Sequence, residues 1–255
     1  MSGLFLIYAL IGAASGLLAG LLGIGGGLVI VPALLWALPY SSLAAGIPHT
    51  AVATSLATVI VTSMVAAYAQ HRRGAVEWPL VRALAPGLAL GALGGAVGAA
   101  GLAGGTLKTL FGLFALAVAA QMGLGLHITR QGRLPAMPGL LAIGAAIGAL
   151  SAIVGVGGGA LTVPFLQWGR VTMRRAIATS SACGLPIAVA GSLGFTLARS
   201  SEVGAIYWPA ALWIAAVSVV IAPLGVRLSH RLPTLWLTRV FSLMLVVVAL
   251  RLIRG

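Results

Sequence analysis

Acidic residues are almost missing from this chain. Among 255 residues only Glu77 and Glu202 carry a side-chain carboxylate. Two acids leave no carboxylate pair for acid–base work and no oxygen set for a divalent metal, and their scarcity argues against a cation as cargo. Cysteine is equally scarce: Cys183 stands alone, which excludes an internal disulfide and a cysteine-based metal site. There is no Ser/His/Asp arrangement at usable spacing, no histidine-rich metal set and no dinucleotide fingerprint in strand–helix context. No enzymatic activity and no cofactor are expected. Charge of either sign is short as well, at 7% of residues, where a soluble domain carries about 25%. So few charges cannot coat a water-soluble globule.

What the chain has instead is apolar surface. Hydrophobic residues make up 60% of it, and the mean hydropathy is +1.13. Lipid is therefore the expected solvent. A span needs roughly 20 apolar residues, so with short connections there is room for about eight to ten crossings and no separate aqueous domain. The net charge of +13 does not point to nucleic acid. A nucleic-acid binder gathers its basic residues on one exposed face, whereas here Lys and Arg stand in ones, twos and threes between apolar runs, as topogenic charge does. The first charged side chain is Arg72, so the basic n-region of a signal peptide is missing, and residues 1–22 are expected to belong to the mature fold.

An internal repeat organises the chain. Gly23-Ile24-Gly25-Gly26-Gly27 with Val31-Pro32 recurs as Gly155-Val156-Gly157-Gly158-Gly159 with Val163-Pro164, a shift of 132. The same shift pairs Gly12 to Gly16 with Gly144 to Gly148. Ala51-Val52-Ala53-Thr54-Ser55 matches Ala176-Ile177-Ala178-Thr179-Ser180 at a shift of 125, and Gly74 to Pro79 matches Gly204 to Pro209 at 130. Leu107, Leu110, Phe111 and Leu113 fall on Leu237, Val240, Phe241 and Leu243, also at 130. The expected organisation is two homologous halves, 1–130 and 131–255, forming one integral membrane domain.

Apolar segments fall at about 4–22, 28–39, 49–70, 78–100 and 106–127, then at 138–154, 160–169, 175–198, 205–226 and 233–253. The second of each set is short: a 12-residue helix covers roughly 18 Å, against a bilayer core of about 30 Å. Each half is thus expected to begin with a broken-helix hairpin whose glycine-rich tip lies inside the membrane, where irregular backbone survives only beside protein or a water-filled cavity. With five segments per half the second half is inverted, and the basic residues then divide nine to four between the two sides. Arg72, Arg73, Arg130, Arg133, Arg170, Arg174, Arg175, Arg227 and Arg231 share one side; Lys108, Arg199, Arg251 and Arg254 share the other. The positive-inside rule makes the arginine-rich side cytoplasmic and puts both termini outside. The predicted fold class is an all-α polytopic transmembrane bundle of two inverted homologous repeats.

Inverted repeats with broken helices hold substrate near the membrane midplane between the halves. Glycines at the tips permit close approach, and the helix that follows presents free N–H groups and a positive dipole end, which bind anions without a charged side chain. Gly23, Gly25, Gly26 and Gly27, with Gly155, Gly157, Gly158 and Gly159, are therefore candidate substrate-binding residues, although small residues also serve simply to pack membrane helices. The duplicated Thr54, Ser55, Thr179 and Ser180 are further candidates; Thr50, Thr54, Thr58 and Thr62 form a stripe at i, i+4 spacing. His49, able to carry protons near neutral pH, and Arg174 and Arg175, able to draw an anion in, complete the set. Arg82 and Arg239 lie inside their segments, where a long side chain usually snorkels. Trp78 and Trp208 read as interfacial anchors, with Pro79 and Pro209 in the first helical turn.

The duplicated Gly-x-Gly-Gly-Gly-x-x-x-Val-Pro, the run from His49 to Ser55, and Gly74 to Trp78 followed by proline together resemble the TauE/SafE family over essentially the whole chain. The resemblance implies a bacterial or archaeal inner-membrane permease associated with export of sulfite, sulfoacetate or related organosulfonates. Arg174 stands where that repeat would place a second His49. The expected function is a secondary transporter of a small anion, with protons as one candidate coupling ion. The alternatives are uptake of another small carboxylate or sulfur compound, and a membrane-embedded enzyme or assembly factor.

Overall fold

The computed structural model describes residues 2–23, 25–38, 46–123, 132, 134–198, 206–229 and 234–254. Arg130, Arg133, Arg199, Glu202 and Arg231 lie outside these, so the loop positions assigned to them from sequence are not described. Every regular element among the described residues is an α-helix: α1 (Ser2–Leu22), α2 (Gly27–Ala37), α3 (Ile47–His71), α4 (Trp78–Ala100), α5 (Gly104–Gly123), α6 (Met137–Val154), α7 (Gly159–Trp168), α8 (Met173–Leu197), α9 (Trp208–Ser229) and α10 (Thr234–Arg254). The apolar segments read from sequence coincide with these helices to within a few residues at each end.

Among the described residues, seven helices (α1, α3, α4, α5, α6, α8 and α9) are long and apolar enough to cross a membrane. The 11-residue α2 and 10-residue α7 are not; at 1.5 Å per residue they reach about 15–17 Å. Exposure confirms the solvent. Large apolar side chains such as Leu10, Leu90, Leu197, Leu212 and Val220 face outward, while hydroxyls face inward: Thr54, Ser55, Thr62, Thr179 and Ser180 are fully buried. The outside of the bundle is thus less polar than parts of its core, the reverse of a soluble protein. The hydroxyl-bearing α3 and α8 are the most enclosed helices.

The two ends of the chain interleave. The helix α4 packs on α6 and α8, while α9 packs on α1 and α3; α3 lies against α8, and α5 against α10. This pairing is unchanged when the first five helices are exchanged in order for the last five. Small residues make the tight contacts possible. A Cβ on Gly91 of α4 would lie 1.9 Å from the carbonyl oxygen of Ala145 on α6, and one on Gly20 of α1 would lie 2.3 Å from that of Ala222 on α9. Lipid offers no hydrophobic drive between helices, so such close backbone approach supplies the van der Waals attraction that holds them. At these interfaces glycine serves packing.

Candidate functional site

Each short helix opens on a glycine tip. Gly26 caps α2 with φ 78°, preceded by Gly23 (φ 69°) and Gly25 (φ 75°); Gly158 caps α7 with φ 74°, preceded by Gly155 (φ 77°). These left-handed conformations are open to glycine at little cost and are strained for other residues. They reverse the chain between α1 and α2, and between α6 and α7. All eight candidate glycines are buried, and the tips meet each other. A Cβ on Gly25 would lie 3.1 Å from Gly157 Cα, and one on Gly27 would lie 2.4 Å from the Gly155 carbonyl oxygen. The first N–H groups of α2 and α7, which have no partner within their own helices, thus start from one enclosed place.

The duplicated hydroxyls hold this junction across the two ends of the chain. Ser55 Oγ donates to the Gly155 carbonyl at 2.8 Å, and Ser180 Oγ donates to the Gly23 carbonyl at 3.1 Å. Thr54 Oγ1 accepts the Tyr207 N–H at 2.9 Å, and Thr179 Oγ1 accepts the Glu77 N–H at 3.1 Å. The four side chains proposed from sequence as substrate ligands therefore also clamp backbone at the tips and at the loops leading into α4 and α9. Thr62 Oγ1 adds a bond to the Gly25 carbonyl at 3.2 Å.

The three ionisable candidates fall in different places. His49 is buried at the start of α3, its Nε2–H donating to the Leu102 carbonyl at 2.9 Å, while Nδ1 has no partner among the described residues. Arg174 and Arg175 are exposed at the start of α8, and Arg175 forms an ion pair with Glu77. The pairing of His49 with Arg174 in the sequence repeat is therefore not an equivalence of environment. Arg73 donates to the Val226 carbonyl at 2.8 Å, which with the Arg175–Glu77 pair gathers Arg72, Arg73, Arg174, Arg175 and Arg227 toward one end of the bundle. Arg82 and Arg239 are exposed on their helices, as snorkelling side chains are.

Two residues that the repeat did not single out stand at the second tip. Ser151 Oγ lies 3.4 Å from where a Cβ on Gly158 would be, and Ser63 Oγ lies beside Gly184 at a point also approached by the Gly157 carbonyl. Both side chains are fully buried, and neither hydroxyl has a hydrogen-bond partner among the described residues. Buried hydroxyls are normally paired. One sequence signal for Ser63 was available: Ser55, Val59 and Ser63 form a row at i, i+4, i+8, parallel to the threonine stripe.

Residues 8–252 match the family described as Sulfite exporter TauE/SafE. The chain belongs to the TauE/SafE family. Among relatives of the chain, a probable membrane transporter protein of Haemophilus influenzae is 33% identical over 261 residues, covering 97% of both chains. A probable membrane transporter protein of Methanocaldococcus jannaschii is 26% identical over 230 residues, covering 88% of this chain and 85% of that protein. The probable membrane transporter MamO of Magnetospirillum gryphiswaldense is 26% identical over 280 residues, covering 94% of this chain and 43% of its own length. No solved structure matches. This TauE/SafE protein is a multi-pass membrane transporter and not an enzyme.

Proposed function

We propose that the chain moves a small anion across the cytoplasmic membrane by alternating access, with sulfite, sulfoacetate or a related organosulfonate as its substrate class, at a site formed where the two glycine tips meet. The observation that carries this reading is the junction of Gly25–Gly27 with Gly155–Gly157, beside which the Ser63 and Ser151 hydroxyls are buried without partners among the described residues. Backbone N–H groups at the starts of α2 and α7, two helix dipoles and these hydroxyls all donate to, or attract, negative charge. Among the described residues Glu77 is the only carboxylate side chain, and it is engaged with Arg175, so nothing acidic opposes an anion at the tips. An oxyanion with several acceptor oxygens fits that set of donors.

In this reading the two halves, 1–130 and 131–255, are oppositely oriented in the membrane. The exchange symmetry of the helix pairing supports two equivalent halves, and the gathering of arginines at one end supports their opposite orientation, that end being cytoplasmic by the positive-inside rule. In the same reading Arg174 and Arg175, exposed at the start of the helix that carries Thr179 and Ser180, draw the anion in. The test is uptake of radiolabelled sulfite and sulfoacetate into proteoliposomes, with and without an imposed pH gradient. Saturable flux that the Ser63→Ala/Ser151→Ala double variant reduces is the expected result, and dependence on the gradient would identify protons as the coupling ion. Saturable flux of simple carboxylates with none of either sulfur anion would overturn the substrate class. Flux unchanged in the folded double variant would overturn the site.

A further inference from the structure

A cavity lies between α2, α5 and α10. Its volume is about 470 Å³, inside the roughly 300–1,000 Å³ range of small-molecule sites. Its walls are apolar, with Val29 and Ala33 of α2 and Met244 and Val248 of α10 among them, and two cations, Lys108 of α5 and Arg251 of α10, also line it. Among the described residues no acidic side chain lines it, and Glu77 is held by Arg175. Two basic side chains therefore border an apolar cavity that has no carboxylate among its described lining residues. Next to it on α10, Leu243 and Val247 are exposed apolar side chains, so this side of the bundle is one that faces acyl chains.

The geometry points to an anionic phospholipid held in this cavity, its headgroup phosphate between Lys108 and Arg251 and an acyl chain along α2 and α10. Charge complementarity selects the occupant. A small sulfur oxyanion would use the two cations and leave the apolar walls unfilled, while a zwitterionic lipid would fill the walls but bring its own ammonium group against the two cations. Basic pockets between transmembrane helices bind anionic headgroups on the same principle. The occupant would brace the outer face of α2, whose first residue, Gly27, forms part of the first tip. This inference is independent of the substrate reading.

Native mass spectrometry of the detergent-solubilised full chain, titrated with dioleoyl phosphatidylglycerol or dioleoyl phosphatidylcholine, tests it. The expected result is one retained phosphatidylglycerol bound about tenfold or more tightly than phosphatidylcholine. That preference should disappear in Lys108→Gln/Arg251→Gln and persist in Arg82→Gln, a charge removed from an exposed site on α4. Ala33→Trp, which fills the cavity, should abolish retention of both lipids. Thermal unfolding in detergent without added lipid checks that each variant is folded; should Ala33→Trp not fold, the charge variant decides alone. Equal binding of the two lipids by the unaltered protein, or a phosphatidylglycerol preference unchanged in the double variant, would overturn the proposal. So would glycerol phosphate competing as well as the intact lipid, which would mark a site for water-soluble anions.

Discussion

Ser55 on α3 donates its hydroxyl hydrogen to the carbonyl oxygen of Gly155 at 2.8 Å, bridging residues 100 apart in sequence. The same bond is made in reverse by Ser180 and Gly23, so each glycine tip is held by a serine from the other end of the chain. Replacing Ser55 or Ser180 by alanine leaves a buried carbonyl with one partner fewer. In membrane proteins such bonds contribute about 0.6 kcal/mol on average and up to about 1.7 kcal/mol. Each single variant should therefore fold, show a lowered thermal midpoint in detergent, and have reduced flux because the tip it holds loosens. A midpoint unchanged in both variants would show that these clamps contribute nothing.

Ser63 and Ser151 should behave in the opposite way. Neither hydroxyl has a partner among the described residues, so converting either to alanine removes no protein hydrogen bond and relieves a buried unpaired group. Stability should stay the same or rise, while anion flux falls if the hydroxyls face the substrate. Stability loss without flux loss would mark them as structural.

Glycines on one helix should divide sharply. A Cβ at Gly91 would fall 1.9 Å from the Ala145 carbonyl oxygen, whereas one at Gly94 or Gly98 meets nothing within 4 Å. Gly91→Ala should disrupt the α4–α6 contact and lower yield of folded protein; Gly94→Ala and Gly98→Ala should be tolerated. Size-exclusion profiles of the three variants in detergent read this directly. The same geometry warns against bulky replacements at the tips, since a Cβ on Gly158 would lie 2.3 Å from Ile187 Cδ1.

At the arginine-rich end, Arg175 is neutralised by Glu77, while Arg174 beside it is exposed. The Arg175–Glu77 pair is partly solvated, and exposed pairs of this kind contribute about 0–1 kcal/mol. Arg174→Gln should raise the apparent KM for the anion a few-fold with little change in maximal flux, and the difference from the unaltered protein should shrink at high ionic strength, as a steering charge requires. A fall in maximal flux at unchanged KM would place Arg174 elsewhere in the cycle.

Much of the fold was legible because lipid makes simple demands. Ten helices sit where ten apolar segments were read, and the brevity of 28–39 and 160–169 already marked α2 and α7 as half-helices. The glycine tips were legible because they are duplicated. Ser63 and Ser151 were not, because duplication was the guide: their counterparts by the nearest repeat shifts, Ala188 and Ala19, carry no hydroxyl. The roles of Thr54, Ser55, Thr179 and Ser180 were half-read. Their burial followed from the sequence, but each one's partner lies on a distant segment, and no local pattern shows that the four clamp backbone. The cavity between α2, α5 and α10 had no sequence signature either, since Lys108 and Arg251 are 143 positions apart.

The sequence by itself determined the solvent, the helices and the place where the chain must break, because hydropathy, segment length and glycine content act locally and lipid enforces them at every residue. Tertiary structure alone decided which groups meet. Gly25 faces Gly157, Ser55 holds Gly155, and Lys108 and Arg251 line one cavity because helices pack wherever small residues let their backbones approach, and that choice depends on surfaces far apart along the chain.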